Sequence, residues 1–385
     1  MAWGITIMQQ QTMQDYLDSV YVMSHSYSTV KSYKLAIINQ NNCGFRYFLQ
    51  QRYQIDEFEF VEQTKQEKFD VYPILRDFVI FLDKLQYKPQ TIKSRLAAIK
   101  GYLRFLGLKI YSEDCKQIIK IPKNIKEFET PLTKEIILRI LRNTPPRLQT
   151  VILVLASSGM RIGELVQLKL SDIDLLTTPT TIRLRAQITK TRQSRETFIS
   201  SEATKALKDY LSVTFDWKEN KDNSHLDDVI IFGRGTLGGY KKKSSIKSPE
   251  HLAASESLSR QLRLHLAKVP DLDKNNPDGS KMIHFHAFRK FFRTTVGNVV
   301  GRDFAEAIIG HGFYMDTYYQ LSEEKKKQMY LDAEPFLTIS DFEAVEKNFK
   351  TLSEKNTQLE IKFEELMEYL RTKSIQIPFT VKPRN

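Results

Sequence analysis

Residues 156–174 read ASSGMRIGELVQLKLSDID, and this stretch carries the densest chemical signal in the chain. Gly159 follows an apolar run, so the sequence predicts that one helix ends there and another begins at about Ile162. Arg161 and Glu164 are three residues apart and share a helical face, where the carboxylate can hold the guanidinium. A guanidinium held in this way can bind a phosphate through two hydrogen bonds. For this motif alone, a surface ion pair is the simpler interpretation.

Two further motifs add charged groups. The alternating runs Thr181–Ile188 and Glu196–Ile199 are joined by KTRQS, which predicts a β-hairpin with Lys190 at its turn. A lysine at a hairpin tip is usually only solvated. The segment HFHAFRKFF places His286 and Arg289 on one helical face among aromatic residues. That pattern also fits a core histidine beside an incidental arginine.

The fourth motif, IIGHGFYMDTYYQLSEE, has a histidine directly after a glycine turn and then three tyrosines. The histidine is His311, and the tyrosines are Tyr314, Tyr318 and Tyr319. Tyrosines near a helix end are ordinarily packing residues. None of the four motifs therefore predicts a site when it is taken alone.

The composition restricts the class of protein. Lys and Arg number 58 against 46 Asp and Glu, a net charge of +12 that indicates a polyanionic partner, nucleic acid before an acidic membrane. Cys43 and Cys115 are too far apart in sequence for a metal-ligand pattern, and GRGTLG at 233–238 is followed by a loop-like segment, so we predict no metal and no dinucleotide cofactor. No apolar run approaches the roughly 18 residues of a membrane span. With no secretory signal pattern, the sequence predicts a soluble cytoplasmic protein.

The first 110 residues predict a helical region. Apolar residues recur at helical intervals within Gln11–Tyr53, and Ile74–Leu85 and Thr91–Leu106 predict two more helices. The residues between them, Asp56–Lys68, form an acidic, polar patch. One face of the helix Thr91–Leu106 is basic, which predicts contact with a nucleic-acid backbone. The simpler interpretation is a solvated basic face. Its basic residues are Lys93, Arg95, Lys100 and Arg104.

The pattern changes after residues 120–130, a polar stretch without periodicity that we predict to be a linker. Lys134–Arg142 and Arg147–Ser157 predict helices, and helices resume from Leu258 to the middle 330s. With the hairpin, this gives a mixed but mainly helical second domain over 131–339.

Residues 342–370 repeat apolar side chains at intervals of seven in two interleaved series, with Asn356 as a single polar member. This pattern favours a coiled coil over 340–373, followed by a tail over 374–385, and predicts self-association or docking on a partner helix. The alternative is an amphipathic helix that packs on its own domain.

Taken in chain order, the motifs form one series across about 160 residues. With its R-x-G-E-L, H-x-x-R and G-H contexts, this series resembles the tyrosine recombinase (integrase) family. The resemblance covers 131–339 as the catalytic domain, and 1–119 resembles, less specifically, the helical core-binding domain that contacts DNA. It implies a mainly α fold with a small β-hairpin or sheet. The series is Arg161, Lys190, His286, Arg289, His311 and a tyrosine.

The resemblance also implies how the site works. Arg161 and Arg289 would bind the non-bridging oxygens of the scissile phosphate, and Glu164 would orient Arg161. Two fixed cations oppose the charge that accumulates on a pentavalent phosphorus in the transition state. No cofactor or metal is implied for this reaction.

The remaining roles concern protons and the nucleophile. His286 and His311 would donate hydrogen bonds to the phosphate, His286 would also accept the proton of the tyrosine, and Lys190 would protonate the departing 5′-oxygen. Tyr318 is the predicted nucleophile, because DTYYQLSEE matches the family's ending. It is only seven residues after His311, where nine is common, so Tyr319 remains an alternative.

The implied function is site-specific DNA recombination on double-stranded DNA through a 3′-phosphotyrosyl intermediate. The partners would be a specific recombination site and further copies of the chain, a tetramer on DNA helped by the coiled coil, in the nucleoid. A type IB topoisomerase-like enzyme and a non-catalytic DNA-binding regulator on the same scaffold are the alternatives.

Overall fold

The structure is a computed structural model of the chain, and it describes residues 2–38, 42–123, 130–233, 250–276, 279–311, 321–340 and 357–364. The chain divides into two compact units, Met1–Glu127 and Phe128–Asn385, and the division falls within the predicted linker. Among the described residues, no helix is both long enough and apolar enough to cross a membrane.

The described part of the first unit is helical. Its core is aromatic, with Phe45, Phe48, Phe60 and Phe78 fully buried. Its helices are α1 (Ala2–Ser24), α2 (Tyr27–Ile37), α3 (Phe45–Tyr53), α4 (Glu57–Lys65), α5 (Val71–Lys84), α6 (Pro89–Phe105) and α7 (Ser112–Ile118).

Helix α4 lies within the acidic, polar patch 56–68, where no helix was predicted from the sequence. Asp56 caps the helix, because its Oδ1 accepts the backbone N–H of Phe58 at 2.9 Å. Acidic residues in the first turn complement the helix dipole, while Phe60 and Val61 are buried on the inner face. The many charges on the outer face conceal this short apolar face in the sequence.

The second unit combines helices with one small sheet. Strands β1 (Ile173–Asp174), β2 (Thr180–Leu184) and β3 (Arg195–Ile199) form an antiparallel sheet in that order. The predicted mainly α fold with a small sheet is thereby confirmed. The helices of this unit are α8 (Lys134–Arg142), α9 (Pro146–Ser158), α10 (Ile162–Leu165), α11 (Ser201–Phe215), α12 (Glu250–Leu266), α13 (Phe285–Val300), α14 (Arg302–Ile309) and α15 (Glu323–Leu337).

The predicted strand Thr181–Ile188 ends earlier than the sequence indicates. Strand β2 stops at Leu184, and Ala186–Ile188 forms a 3₁₀ turn. Arg185 causes the change of direction, because its Nε donates to Asp172 Oδ1 at 2.9 Å and its Nη2 donates to the Gln167 carbonyl at 2.8 Å. These contacts hold the chain away from the extended path that alternation predicted.

Other boundaries also differ. The helix predicted from Ile162 has only four residues. The apolar run 229–232 makes a single bridge, between Lys169 and Ile230. Helix α11 was not predicted, and α12 begins at Glu250 rather than near Leu258. The predicted coiled coil lies outside the described residues except for 357–364, which is helical with exposed side chains.

Candidate active site

Arg161 and Glu164 meet at the turn between α9 and α10. Gly159 follows the last residue of α9 and has a φ of +63°. A Cβ built on this residue would clash with Phe292 Cδ1. Both features require glycine. The Arg161 backbone N–H donates to Glu164 Oε2 at 2.8 Å, and its Nη1 donates to Oε1 at 3.1 Å. Glu164 is buried, so its carboxylate holds both the main chain and the side chain of Arg161.

Arg195, which the sequence analysis missed, is a second guanidinium on the same carboxylate. Its Nη1 and Nη2 donate to Glu164 Oε1 and Oε2 at 3.1 and 2.6 Å. Its Nε donates to the Ile308 carbonyl at 3.1 Å, at the end of α14. Arg195 therefore links the start of β3 to both α10 and α14. In the sequence, Arg195 follows Lys190 by five residues, and this position does not indicate a contact with Glu164.

Arg289 is buried and reaches one carbonyl at the end of α9 and one at the end of α14. Its Nη1 donates to the Gly159 carbonyl at 2.7 Å and its Nη2 donates to the Ile309 carbonyl at 2.6 Å. Its buried Nε has no hydrogen-bond partner within the described part of the chain. Burial, together with the positive charge of Arg161, lowers the pKa of Arg289 to about 9. The group is thus a desolvated cation with one buried donor that no described residue satisfies.

His311 follows Gly310, which ends α14 with a φ of +68°. A Cβ built on Gly310 would lie 2.7 Å from Arg195 Cδ, so glycine is needed here too. The His311 ring is about half exposed, and its Nδ1 lies 2.7 Å from Glu306 Oε2. The G-H motif thereby places His311 directly after Gly310, the residue that packs against the Arg195 side chain.

His286 lies in the first turn of α13, three residues before Arg289, and is exposed. Partial burial of its ring lowers the pKa of His286, and the charges of Lys290, Arg289 and Arg161 lower it further. A histidine that stays neutral near pH 7 can accept a proton.

Lys190 is exposed on the connection between β2 and β3, just after the 3₁₀ turn. The connection is shaped by Thr189, whose hydroxyl donates to the Gln193 carbonyl at 3.0 Å. Tyr314, Tyr318 and Tyr319 lie outside the described residues. Throughout the described ranges, no group of three or more His, Cys, Asp or Glu side chains could hold a metal ion.

The four basic residues of α6 do not form one face. Lys93, Lys100 and Arg104 follow one side of the helix at intervals of seven and four residues. Arg95 lies elsewhere, with its guanidinium 4.2 Å from the centroid of the Tyr87 ring and its Nη1 donating to the Cys43 carbonyl at 2.7 Å. Arg104 is exposed, and its Nη2 also donates to the Ile110 carbonyl at 2.7 Å.

Glu164 gives the site a testable dependence on pH. Burial alone raises the pKa of Glu164, but the hydrogen bonds and charges of Arg195 and Arg161 outweigh it and hold that pKa below its usual value. Its contribution to stability is therefore present above the unfolded-state pKa of about 4.3 and is lost as the pH falls through the folded-state pKa. We expect Glu164→Gln to reduce the free energy of unfolding at pH 7 by about 3–5 kcal/mol.

The measurement is urea unfolding followed by circular dichroism between pH 3 and pH 7. The stability of Glu164→Gln should also fall less steeply toward acidic pH than that of the wild type. Glu196→Gln is the matched control, because Glu196 pairs with the exposed Arg183 and should matter by less than about 1 kcal/mol. Equal losses of stability in the two variants would show that the ion pairs of Glu164 contribute no more than an exposed ion pair does.

The chain shares sequence similarity with known proteins. The pattern of the phage integrase family matches residues 114–320, more than half of the chain. Tyrosine recombinase XerC from Roseiflexus sp. (strain RS-1) is 26% identical over 217 residues, which cover 54% of this chain and 68% of that protein. Tyrosine recombinase XerA from Thermococcus kodakarensis is 33% identical over 101 residues, covering 26% of this chain and 34% of that protein.

A similar fold is found in a solved structure described as a lambda integrase dimer bound to a COC′ core site. It has a TM-score of 0.51 and 12% identity, and the alignment covers 82% of this chain and 98% of that chain. The chain belongs to the phage integrase family and is a tyrosine recombinase, an enzyme of site-specific DNA recombination. The relatives do not favour the topoisomerase-like and regulator alternatives.

Proposed function

We propose that this recombinase cuts double-stranded DNA at a specific site by forming a 3′-phosphotyrosyl bond, and then rejoins the strand to a partner duplex. One observation carries the proposal: Arg161 and Arg195 both pair with the single carboxylate of Glu164, and Arg289 lies near enough for its charge to interact with all three groups. The buried Arg289 has a lowered pKa and an Nε without a partner among the described residues. A phosphodiester supplies the missing negative charge, and its oxygens accept the remaining donors.

The proposed first step joins the tyrosine Oη to phosphorus and breaks the bond between phosphorus and the 5′-oxygen. Tyr318 is the proposed nucleophile, with Tyr319 as the alternative, and His286 is the proposed acceptor of the phenolic proton. The lowered pKa of His286 supports this role, because a neutral imidazole is needed. Lys190 would give a proton to the departing 5′-oxygen. Its exposed position on a loop allows it to reach a bound strand.

In the second step, the 5′-hydroxyl of the partner strand attacks the phosphotyrosine and releases the tyrosine. One phosphodiester is made for each one broken, so the cycle needs no ATP. Exchange between two duplexes requires several subunits, and we propose a tetramer on DNA, helped by the coiled coil over 340–373. The enzyme would act on the nucleoid in the cytoplasm.

We propose that the first unit, within 1–119, contacts the DNA backbone through α6. Lys93 is exposed on this helix, and Lys100 and Arg104 continue the same side. Arg95 and Arg104 each bind a carbonyl of their own unit, yet a guanidinium has five N–H donors, so others remain for phosphates. Such contacts would be strongly dependent on salt and largely independent of sequence.

The experiment that tests the proposal looks for covalent adducts. Wild-type protein is incubated with DNA that flanks its gene and with a fragmented genomic library, without ATP and with EDTA, and quenched in denaturant. We expect protein–DNA adducts whose sequencing reveals the site, and exchange of labelled ends between duplexes. Salt-dependent binding without any adduct would contradict the proposed chemistry. Adducts that only relax supercoils, without exchange, would support the topoisomerase-like alternative instead.

A further inference from the structure

Glu306 contacts His311 through both its main chain and its side chain. Its carbonyl accepts the His311 backbone N–H at 3.1 Å, and its Oε2 lies 2.7 Å from His311 Nδ1. The Glu306 side chain is only 9% exposed, whereas the ring of His311 is 44% exposed. The carboxylate thus lies on the Nδ1 side of a ring that is partly exposed.

The second oxygen of Glu306 is occupied by arginines. Arg293 Nε donates to Oε1 at 2.6 Å, and the exposed Arg302 places its Nε 3.7 Å away. Burial alone raises the pKa of Glu306, but Arg293 and His311 outweigh it and hold that pKa below its usual value. Glu306 is therefore an ionised acceptor at neutral pH, and a ring nitrogen beside it must carry the hydrogen.

This geometry determines which nitrogen of His311 can serve a substrate. With Nδ1–H donating to Glu306, the ring can present only Nε2 to a ligand. A ring protonated on both nitrogens donates Nδ1–H to the carboxylate and Nε2–H to a phosphate oxygen at the same time. An acidic partner that fixes a histidine in this way is a common device for holding its orientation.

We propose that Glu306 is a positioning residue that holds the Nδ1–H of His311 and directs Nε2 to the scissile phosphate. The inference rests on the proposed function, in which His311 donates a hydrogen bond to that phosphate. Glu306 does not itself touch the DNA in this scheme. Glu306 acts on the reaction through His311. This role differs from that of an ion pair with Arg293 that only stabilises the fold.

The first test needs no activity. In DNA-free protein labelled with ¹⁵N-histidine, the side-chain nitrogens of His311, assigned with His311→Ala, should show a hydrogen on Nδ1. Glu306→Gln should alter that Nδ1 signal, and Glu219→Gln, which removes a carboxylate paired with the distant Lys208, should not. A wild-type His311 with hydrogen on Nε2 alone would overturn the proposal, whether or not the protein cleaves DNA.

The second test uses the rate of adduct formation in a double-mutant cycle. We expect Glu306→Gln to slow cleavage about tenfold, by analogy with partners that orient histidine ligands. In a His311→Ala background, the same change should have no further effect, because its route to the phosphate is gone. An equal slowing in both backgrounds, or the same slowing from Arg293→Gln, would overturn the proposal in favour of a structural role. If the wild type forms no adduct, the proposed function fails, while the nuclear magnetic resonance result still decides the role of Glu306.

Discussion

Tyr318→Phe abolishes covalent adducts with DNA and leaves the DNA affinity within about twofold of the wild type: this is the largest effect that we expect. The phenolic oxygen is the atom that would bond to phosphorus, and phenylalanine offers no substitute. Binding should persist because most of the affinity for DNA comes from contacts with backbone phosphates. The measurement is a denaturing gel of quenched reactions, with binding followed by fluorescence anisotropy.

Two matched variants make this result specific. Tyr319→Phe and Tyr314→Phe change the same chemical group at neighbouring positions, and both should keep adduct formation within about threefold of the wild type. Loss of adducts in Tyr319→Phe alone would correct the nucleophile by one residue and leave the reaction in place. Adducts that survive in all three variants would refute a nucleophile in this segment.

Local patterns in the sequence account for one half of the candidate site. Arg161 and Glu164 are three residues apart, so the geometry of a single turn brings them together. His286 and Arg289 are also three residues apart, in the first turns of α13. Where a contact depends only on helical spacing, sequence reasoning can find it.

The other half depends on how distant elements meet. Arg195 contacts Glu164 across 31 residues, and only the pairing of β2 with β3 and the packing of β3 near α14 brings it there. Glu306 is close to His311 in sequence, but its contact depends on the left-handed turn at Gly310 that reverses the chain. Both residues resemble ordinary surface charges in the sequence, so no pattern separated them from the solvated ones.

Arg289→Lys should slow adduct formation by about 10²–10³-fold, the size of loss typical when a donor that stabilises transition-state charge is removed. The arginine joins the Gly159 carbonyl to the Ile309 carbonyl through two different nitrogens and still has donors to spare. A lysine ammonium is a single point and cannot span both carbonyls while it faces a phosphate. The turns at Gly159 and Gly310 would then lose their common partner.

This prediction is measured as the single-turnover rate of adduct formation at saturating protein, with circular dichroism to verify folding. Arg139→Lys is the matched control, because Arg139 is exposed and pairs with Asp271, outside the site; its rate should stay within about twofold. DNA affinity should fall by less than about threefold in Arg289→Lys, since one buried cation is a small part of the phosphate contacts. A slowing below about fivefold would mean that positive charge alone is sufficient at this position. The guanidinium bridge between the two glycine turns would then stabilise the fold without contributing to catalysis.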